Sequence, residues 1–220
     1  MVSESQHAKA AAPRSLHEDG IFVLPNVWDA GSAAMIAAAG APVIATTSAG
    51  VSWSFGRQDG QRLSRPEATD AVRRIADAVD VPVTAGAGLP ELVINARTDV
   101  FLFEIGEPAG RLGDVLARAA AYAEAGADSL FVPGLLDLGV LAALTGKVSL
   151  PVNVMAGPGA PDVAALRAAG VRRVSLGQAI TQAAYTLARQ AAAEVLTAGT
   201  YDSITGADSF SDINGRLRSH

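Results

Sequence analysis

Val81-Pro-Val-Thr-Ala85 and Leu92-Val-Ile-Asn-Ala96 are two apolar, strand-like runs separated only by Gly86-Ala-Gly-Leu-Pro-Glu91. The fold turns on how that gap is read. Everywhere else the chain alternates strand-like and helix-like segments. Parallel neighbours need a crossover of a dozen or more residues, usually a helix, and this gap is too short for one. Either the two runs pair antiparallel inside an otherwise parallel fold, or part of the architecture is missing.

Outward from this junction the pattern is regular. Phe22–Asn26, Val43–Thr47, Ser129–Val132, Val152–Met155 and Arg173–Leu176 complete a set of seven strand-like runs. Most are short and continuously apolar, as expected of strands buried on both faces. Helical stretches lie between them at Ala30–Ala39, Arg65–Val79, Arg111–Ala125, Leu138–Leu144, Pro161–Ala169 and Gln178–Ala198. Asp29, Ser64 and Pro161-Asp162 are start signals for three of these helices. Gly40, Gly126 and Gly170 each stand between a helix and the next strand, where a left-handed residue ends a helix.

Alternating βα units imply a parallel sheet, closed or doubly wound. Eight such units make a TIM-type barrel of roughly 250 residues. This chain has 220 residues and no helix at the junction. The expectation is therefore an α/β fold, an incomplete (β/α) barrel with seven recognisable strands. It occupies residues 16–220 as one domain with a C-terminal helical extension. Residues 1–15 are expected to form a flexible tail.

Composition excludes several chemistries. There is no Cys, so no thiolate nucleophile and no Cys–metal site is available. The three His residues, His7, His17 and His220, lie near the ends, which disfavours a His-based triad or zinc site. Lys9 and Lys147 are the only lysines, one in the tail and one just before a strand, so a Schiff-base lysine is nearly excluded. Net charge is −5 with no basic run, which argues against a nucleic-acid partner. No apolar run approaches the roughly 20 residues of a membrane span. The N-terminus lacks an apolar signal core, so a cytoplasmic location is expected.

Polar residues follow nearly every strand-like run, where barrels of this class carry their catalytic groups. Arg97, directly after a strand, can hold a carboxylate in a bidentate fork; the alternative is a structural ion pair with Asp99. Thr46, Thr47 and Ser48 open a small-residue turn able to aim N–H groups at an anion, or else form a plain loop. The Gly-punctuated stretch Trp53–Arg62 suits a mobile lid. Asp59 within it reads either as a group reaching a metal-bound water or as a solvated turn acid. Asn153 can donate to a substrate oxygen or simply satisfy backbone.

Several longer motifs carry a resemblance. They are LPNVWDAGSA (Leu24–Ala33), IATTSAGVSWSFGRQDG (Ile44–Gly60), VINARTDVFL (Val93–Leu102), FVPG (Phe131–Gly134) and PVNVMAGPGAPDVAALRAAGVRRVSLG (Pro151–Gly177). Together they resemble the isocitrate lyase/phosphoenolpyruvate mutase superfamily over nearly the whole chain from about Leu16. The resemblance implies a TIM-type barrel, a homo-oligomer, and Mg²⁺ at the barrel mouth. It also implies C–C or P–C bond chemistry next to a 2-oxo acid through an enolate. The partner would be a small 2-oxo or dicarboxylic acid. By position, Thr46, Thr47 and Ser48 match the turn that binds the substrate carboxylate. Asp59 matches the acid of the gating loop, Arg97 the arginine that contacts substrate, and Asn153 a polar residue at the seventh strand in some members.

The departures are as informative. Where the family continues the strand resembling Val81–Ala85 into the acids that hold the metal, this chain has Gly86-Ala87-Gly88. One strand and two helices are missing between Ala85 and Leu92 by this comparison, roughly 50 residues or one and a half βα units. Gly134 stands where the lyase members carry a Glu. A Mg²⁺-assisted lyase or mutase, impaired by loss of the metal-ligand segment, is one reading. A non-catalytic carboxylate-binding or structural remnant is the other.

Overall fold

Side-chain caps start the helices where the sequence marks them. The computed structural model describes residues 20–60, 62–84 and 94–217. In chain order the elements are β1 (Phe22–Leu24), β2 (Asn26–Val27), α1 (Ala30–Ala38), β3 (Ile44–Thr46), α2 (Ser48–Ser54), α3 (Arg65–Asp77) and β4 (Val83–Thr84). They continue with β5 (Asn95–Arg97), α4 (Arg111–Glu124), β6 (Ser129–Phe131), α5 (Leu138–Thr145), β7 (Val152–Met155) and α6 (Val163–Ala168). The last are β8 (Arg173–Ser175), α7 (Ala179–Thr197), a 3₁₀ turn at Asp202–Ile204 and α8 (Phe210–Arg216). Asp29 and Ser32 form a reciprocal capping box at α1, and Ser64 and Glu67 form another at α3. Gly40, Gly126 and Gly170 take φ of 93°, 90° and 85° after their helices, as the left-handed position requires.

The chain divides into two compact units, residues 1–24 with 86–177, and residues 25–85 with 178–220. The first holds a five-stranded sheet in the order β1-β8-β7-β6-β5, and the second a three-stranded sheet in the order β2-β3-β4. Every pairing among the described residues is parallel. The antiparallel alternative for the junction is thus not realised: β4 pairs with β3, and β5 pairs with β6. Residues 85–93 of the junction and the 1–15 tail lie outside the described residues. The fold class is α/β with parallel strands, as in TIM-type barrels.

Two differences from the sequence reading have local causes. The run Phe22–Asn26 is divided at Pro25, which has no N–H to give a ladder. β1 pairs with β8, while β2 pairs with β3, and the Pro25 carbonyl accepts from Ala45 N at 3.0 Å. The small-residue turn after β3 is the start of a helix, α2, so the loop expected from Trp53 begins at Phe55.

Each unit has its own core. In the first, Leu130, Val152, Val154 and Val174 from alternate strand positions pack with Val115 and Ala119 of α4, Leu141 and Leu144 of α5 and Leu166 of α6. In the second, Val27 and Ile44 pack with Ala33 of α1, Val51 of α2, and Ala71 and Ile75 of α3. No helix among the described residues is long and apolar enough to cross a membrane.

Candidate functional site

Because strand side chains alternate between faces, the core just described fixes what the other face of the five-stranded sheet carries. Leu130, Val152, Val154 and Val174 point to the helices, so Ser129 and Phe131, Asn153 and Met155, and Arg173 and Ser175 stand on the opposite face. Hydrogen bonds across that face confirm the assignment. Ser129 Oγ donates to Asn95 Oδ1 at 2.8 Å, and Ser175 Oγ to Asn153 Oδ1 at 3.1 Å. In register, Arg97, Phe131, Asn153 and Arg173 form one continuous row across β5, β6, β7 and β8.

Arg97 ends β5. Its Nε donates to Asp99 Oδ1 at 2.6 Å, so the ion pair offered by the sequence as an alternative does form. Its guanidinium carbon lies 5.6 Å from the centre of the Phe131 ring, within cation–π range. Tyr122 hydroxyl donates to the Arg97 carbonyl at 3.2 Å and ties the strand end to α4. The side chain is half-exposed, and its terminal nitrogens make no hydrogen bond to the described residues. One carboxylate therefore orients Arg97 while its outer donors stay open to a ligand.

Asn153 is fully buried, and its Nδ2 has no hydrogen-bond partner among the described residues. The five-stranded sheet brings Asn153 and Arg97 onto one row; the other candidate positions belong to the second unit. There Thr46 ends β3, with its carbonyl accepting from Asn26 Nδ2 at 3.1 Å. Thr47 is the buried N-cap of α2, held by its N–H on the Val27 carbonyl at 3.1 Å, and its side chain makes no cap bond. Ser48 is the exposed first residue of α2. Asp59 is exposed in the following loop, where it makes no hydrogen bond or ion pair among the described residues. That loop is fastened near its start: Arg57 grips Glu67 with two bonds of 2.9 and 2.8 Å and also donates to the Arg62 carbonyl. With the Arg57 fork first and Ser64 second, Glu67 is held down to about 2.

Gly134 gives its sequence departure a physical content. It has φ of +84°, and a Cβ there would meet Leu102 N and Cα at 2.7 Å. The position admits glycine and no glutamate in this backbone. Among the described residues no three His, Asp or Glu side chains come together as a metal site.

Arg173 was missed by the sequence reading, which took it only as the start of a strand. It is 8% exposed, and burial pushes its guanidinium down to about 10. A charged residue in an apolar run, on the same parity as Ser175, was the available signal.

Comparison with known proteins follows the same outline. The family model described as "Phosphoenolpyruvate phosphomutase" matches residues 14–88 and again 85–196, breaking in two at the short junction. An uncharacterized protein of Mycobacterium tuberculosis is 32% identical over 228 residues, covering 82% of this chain and 87% of its own length. The aligned length exceeds this chain's 220 residues, so the relative has positions with no counterpart here. A candidate lyase/mutase from Burkholderia cenocepacia J2315 superposes with a TM-score of 0.86 at 30% identity, covering 96% of this chain and 97% of its own. A candidate phosphonomutase from the same organism gives 0.75 at 36% identity, covering 83% and 98%.

Proposed function

Because the chain belongs to the phosphoenolpyruvate phosphomutase family, we propose that it binds a small 2-oxo or dicarboxylic acid and acts on it as a lyase or mutase. The reaction is the making or breaking of a C–C or P–C bond next to the 2-oxo group through an enolate. Lyases and mutases are what the family and its solved relatives are. The observation that carries the reading is Arg97: a strand-end guanidinium, fixed by Asp99 and Phe131, with its outer nitrogens uncommitted.

Arg97 and Asn153 bind the carboxylate and an adjacent oxygen. In the second unit, taken by itself, the resemblance assigns carboxylate binding to Thr46, Thr47 and Ser48 and the gating role to Asp59. Mg²⁺ is the cofactor the resemblance implies, and no step is derived through it. Gly86-Ala87-Gly88, standing where the resemblance places the metal-holding acids, favours a second reading, a carboxylate-binding protein without turnover. The exposed apolar side chains Leu187, Val195 and Leu196 on α7 and Phe210 on α8 support assembly into a homo-oligomer.

The test is a thermal melt with oxalate, an enolate mimic, with and without Mg²⁺, beside an assay for turnover of 2-oxo acids. A ligand bound only to the folded state at 100 times its Kd adds about 2.7 kcal/mol. Oxalate is expected to raise the midpoint of the native protein and not of Arg97→Ala. A further Mg²⁺-dependent rise with turnover supports the enzyme. A rise indifferent to Mg²⁺ without turnover supports the binding protein. No rise at all overturns both.

A further inference from the structure

We infer that the cleft between the C-terminal ends of α5 and α6 is a binding site for a free α-amino acid with a short apolar side chain. It is a cavity of about 480 Å³, within the usual size range of small-molecule sites. The last turns of α5 and α6 line it, together with the approach to β7, whose first residue, Val152, lies in its wall. Arg97 is the last residue of its own strand, and the strands of this sheet are parallel. The cleft therefore lies at the opposite end of the sheet from Arg97, and the inference does not depend on the reading of Arg97.

Three observations carry it. First, the cleft is fixed in shape. Thr145 Oγ1, at the end of α5, donates to the Ala169 carbonyl, at the end of α6, at 2.8 Å. Gly170 follows with φ of +85°, and a Cβ there would meet that hydroxyl at 2.5 Å. The two helix ends are thereby stapled together. Second, the lining holds one charged residue, Arg172, and no Asp or Glu. Arg172 N–H donates to the Val152 carbonyl, and its own carbonyl accepts from Phe22 N–H, each at 3.0 Å. The root of the side chain is thus fixed in the sheet. Its guanidinium makes no hydrogen bond or ion pair with the described residues, and the residue is exposed. Third, the carbonyls of Thr145, Gly146 and Ala168, all lining residues, accept no hydrogen bond from the described residues. The last carbonyls of a helix have no partner within it, and their partial negative charge favours a cation.

One cleft thus offers a guanidinium fork for a carboxylate and a set of open acceptors for an ammonium group. Apolar side chains such as Ala142, Val148 and Ala168 stand among them. A simple anion would leave the carbonyls unanswered and meet their negative ends. A simple amine would meet the guanidinium. An α-amino acid carries both charges on one carbon and answers both, and its side chain has apolar surface to lie against.

The experiment titrates the full chain calorimetrically with three probes: L-valine, isovalerate, which lacks its amine, and isobutylamine, which lacks its carboxylate. L-Valine should bind at least on the order of tenfold more tightly than either. Arg172→Met should abolish that binding. Ala142→Leu and Ala168→Leu, which fill the cleft from exposed helix positions, should each weaken it at least on the order of tenfold. Arg97→Ala should leave it unchanged. Isovalerate or isobutylamine binding as tightly as L-valine overturns the inference, and so does L-valine binding that survives in Arg172→Met. If that variant does not fold, the two leucine variants decide, and undiminished binding in both overturns the cleft as the site. Loss of L-valine binding in Arg97→Ala places the ligand at the site described above and also overturns the cleft. Failure of the native protein to bind L-valine at millimolar concentration overturns the inference and leaves the proposed function standing.

Discussion

Asp99 Oδ1 takes the Nε–H of Arg97 at 2.6 Å, and so commits one edge of the guanidinium while leaving its outer nitrogens uncommitted. The pair is half-exposed, and pairs of that kind contribute only about 0–1 kcal/mol to stability. Its value is orientation. Asp99→Asn should leave the melting midpoint nearly unchanged and weaken oxalate binding several-fold. Arg97→Lys should weaken it more, by about 1.5–3 kcal/mol for the lost charged hydrogen bonds. Calorimetric titration of oxalate checks both.

Gly134 should tolerate no side chain. Gly134→Ala adds a Cβ 2.7 Å from the Leu102 backbone at a positive φ. We expect a loss of about 1–3 kcal/mol in denaturant unfolding. Gly134→Glu should lose at least as much and gain no lyase activity, although it restores the residue type that lyase members carry.

Acid should destabilise the protein in a defined window. Glu67 sits at about 2 because Arg57 and then Ser64 bond to it, and Glu194 at about 2 because of the Ser203 and then the Thr200 hydroxyls. Both are lowered from an ordinary 4.5. A depressed carboxylate stabilises the fold above its ordinary value, and that contribution is lost as pH falls toward the depressed one. The melting midpoint should therefore fall as pH is lowered from 4.5 toward 2. Glu67→Gln should show a shallower fall over the same range, from a lower starting midpoint.

The core of the first unit should be sensitive to truncation. Leu141 and Leu166 are both 0% exposed and pack in one cluster. Leu141→Ala or Leu166→Ala should each cost about 2–5 kcal/mol, read from urea unfolding midpoints.

The strands, the helix caps at Asp29, Ser64 and Asp162 and the left-handed glycines were legible in the sequence because each is a local decision. Apolar runs, short polar caps and Gly after a helix act within a few residues. Three things were not legible. Helix α2 was hidden because Ser48, Ala49 and Gly50 have the composition of a turn. They are helical where Gly50 lies against Thr47, Thr181 and Trp28, so close that a Cβ would clash with each. The interruption at Pro25 depends on which strands flank it, which no local pattern states. Arg173 required the register between β7 and β8, a relation between residues far apart in the chain. Arg97, Asn153 and the Thr46–Ser48 segment were candidates from their places after strands and from the resemblance, and the structure adds how Arg97 and Asn153 are oriented.

The pairing of β1 with β8 sets a constraint on synthesis. Phe22, Val23 and Leu24 find their ladder partners in Arg173, Val174 and Ser175. On the ribosome β1 therefore waits, its apolar side chains unburied, until nearly the whole five-stranded sheet has emerged. Contacts of such sequence separation form slowly, because the intervening loop must close first. During that wait an exposed strand is open to foreign pairing. Slowed translation, or holding by a chaperone, should matter more for the yield of this chain than its final stability suggests.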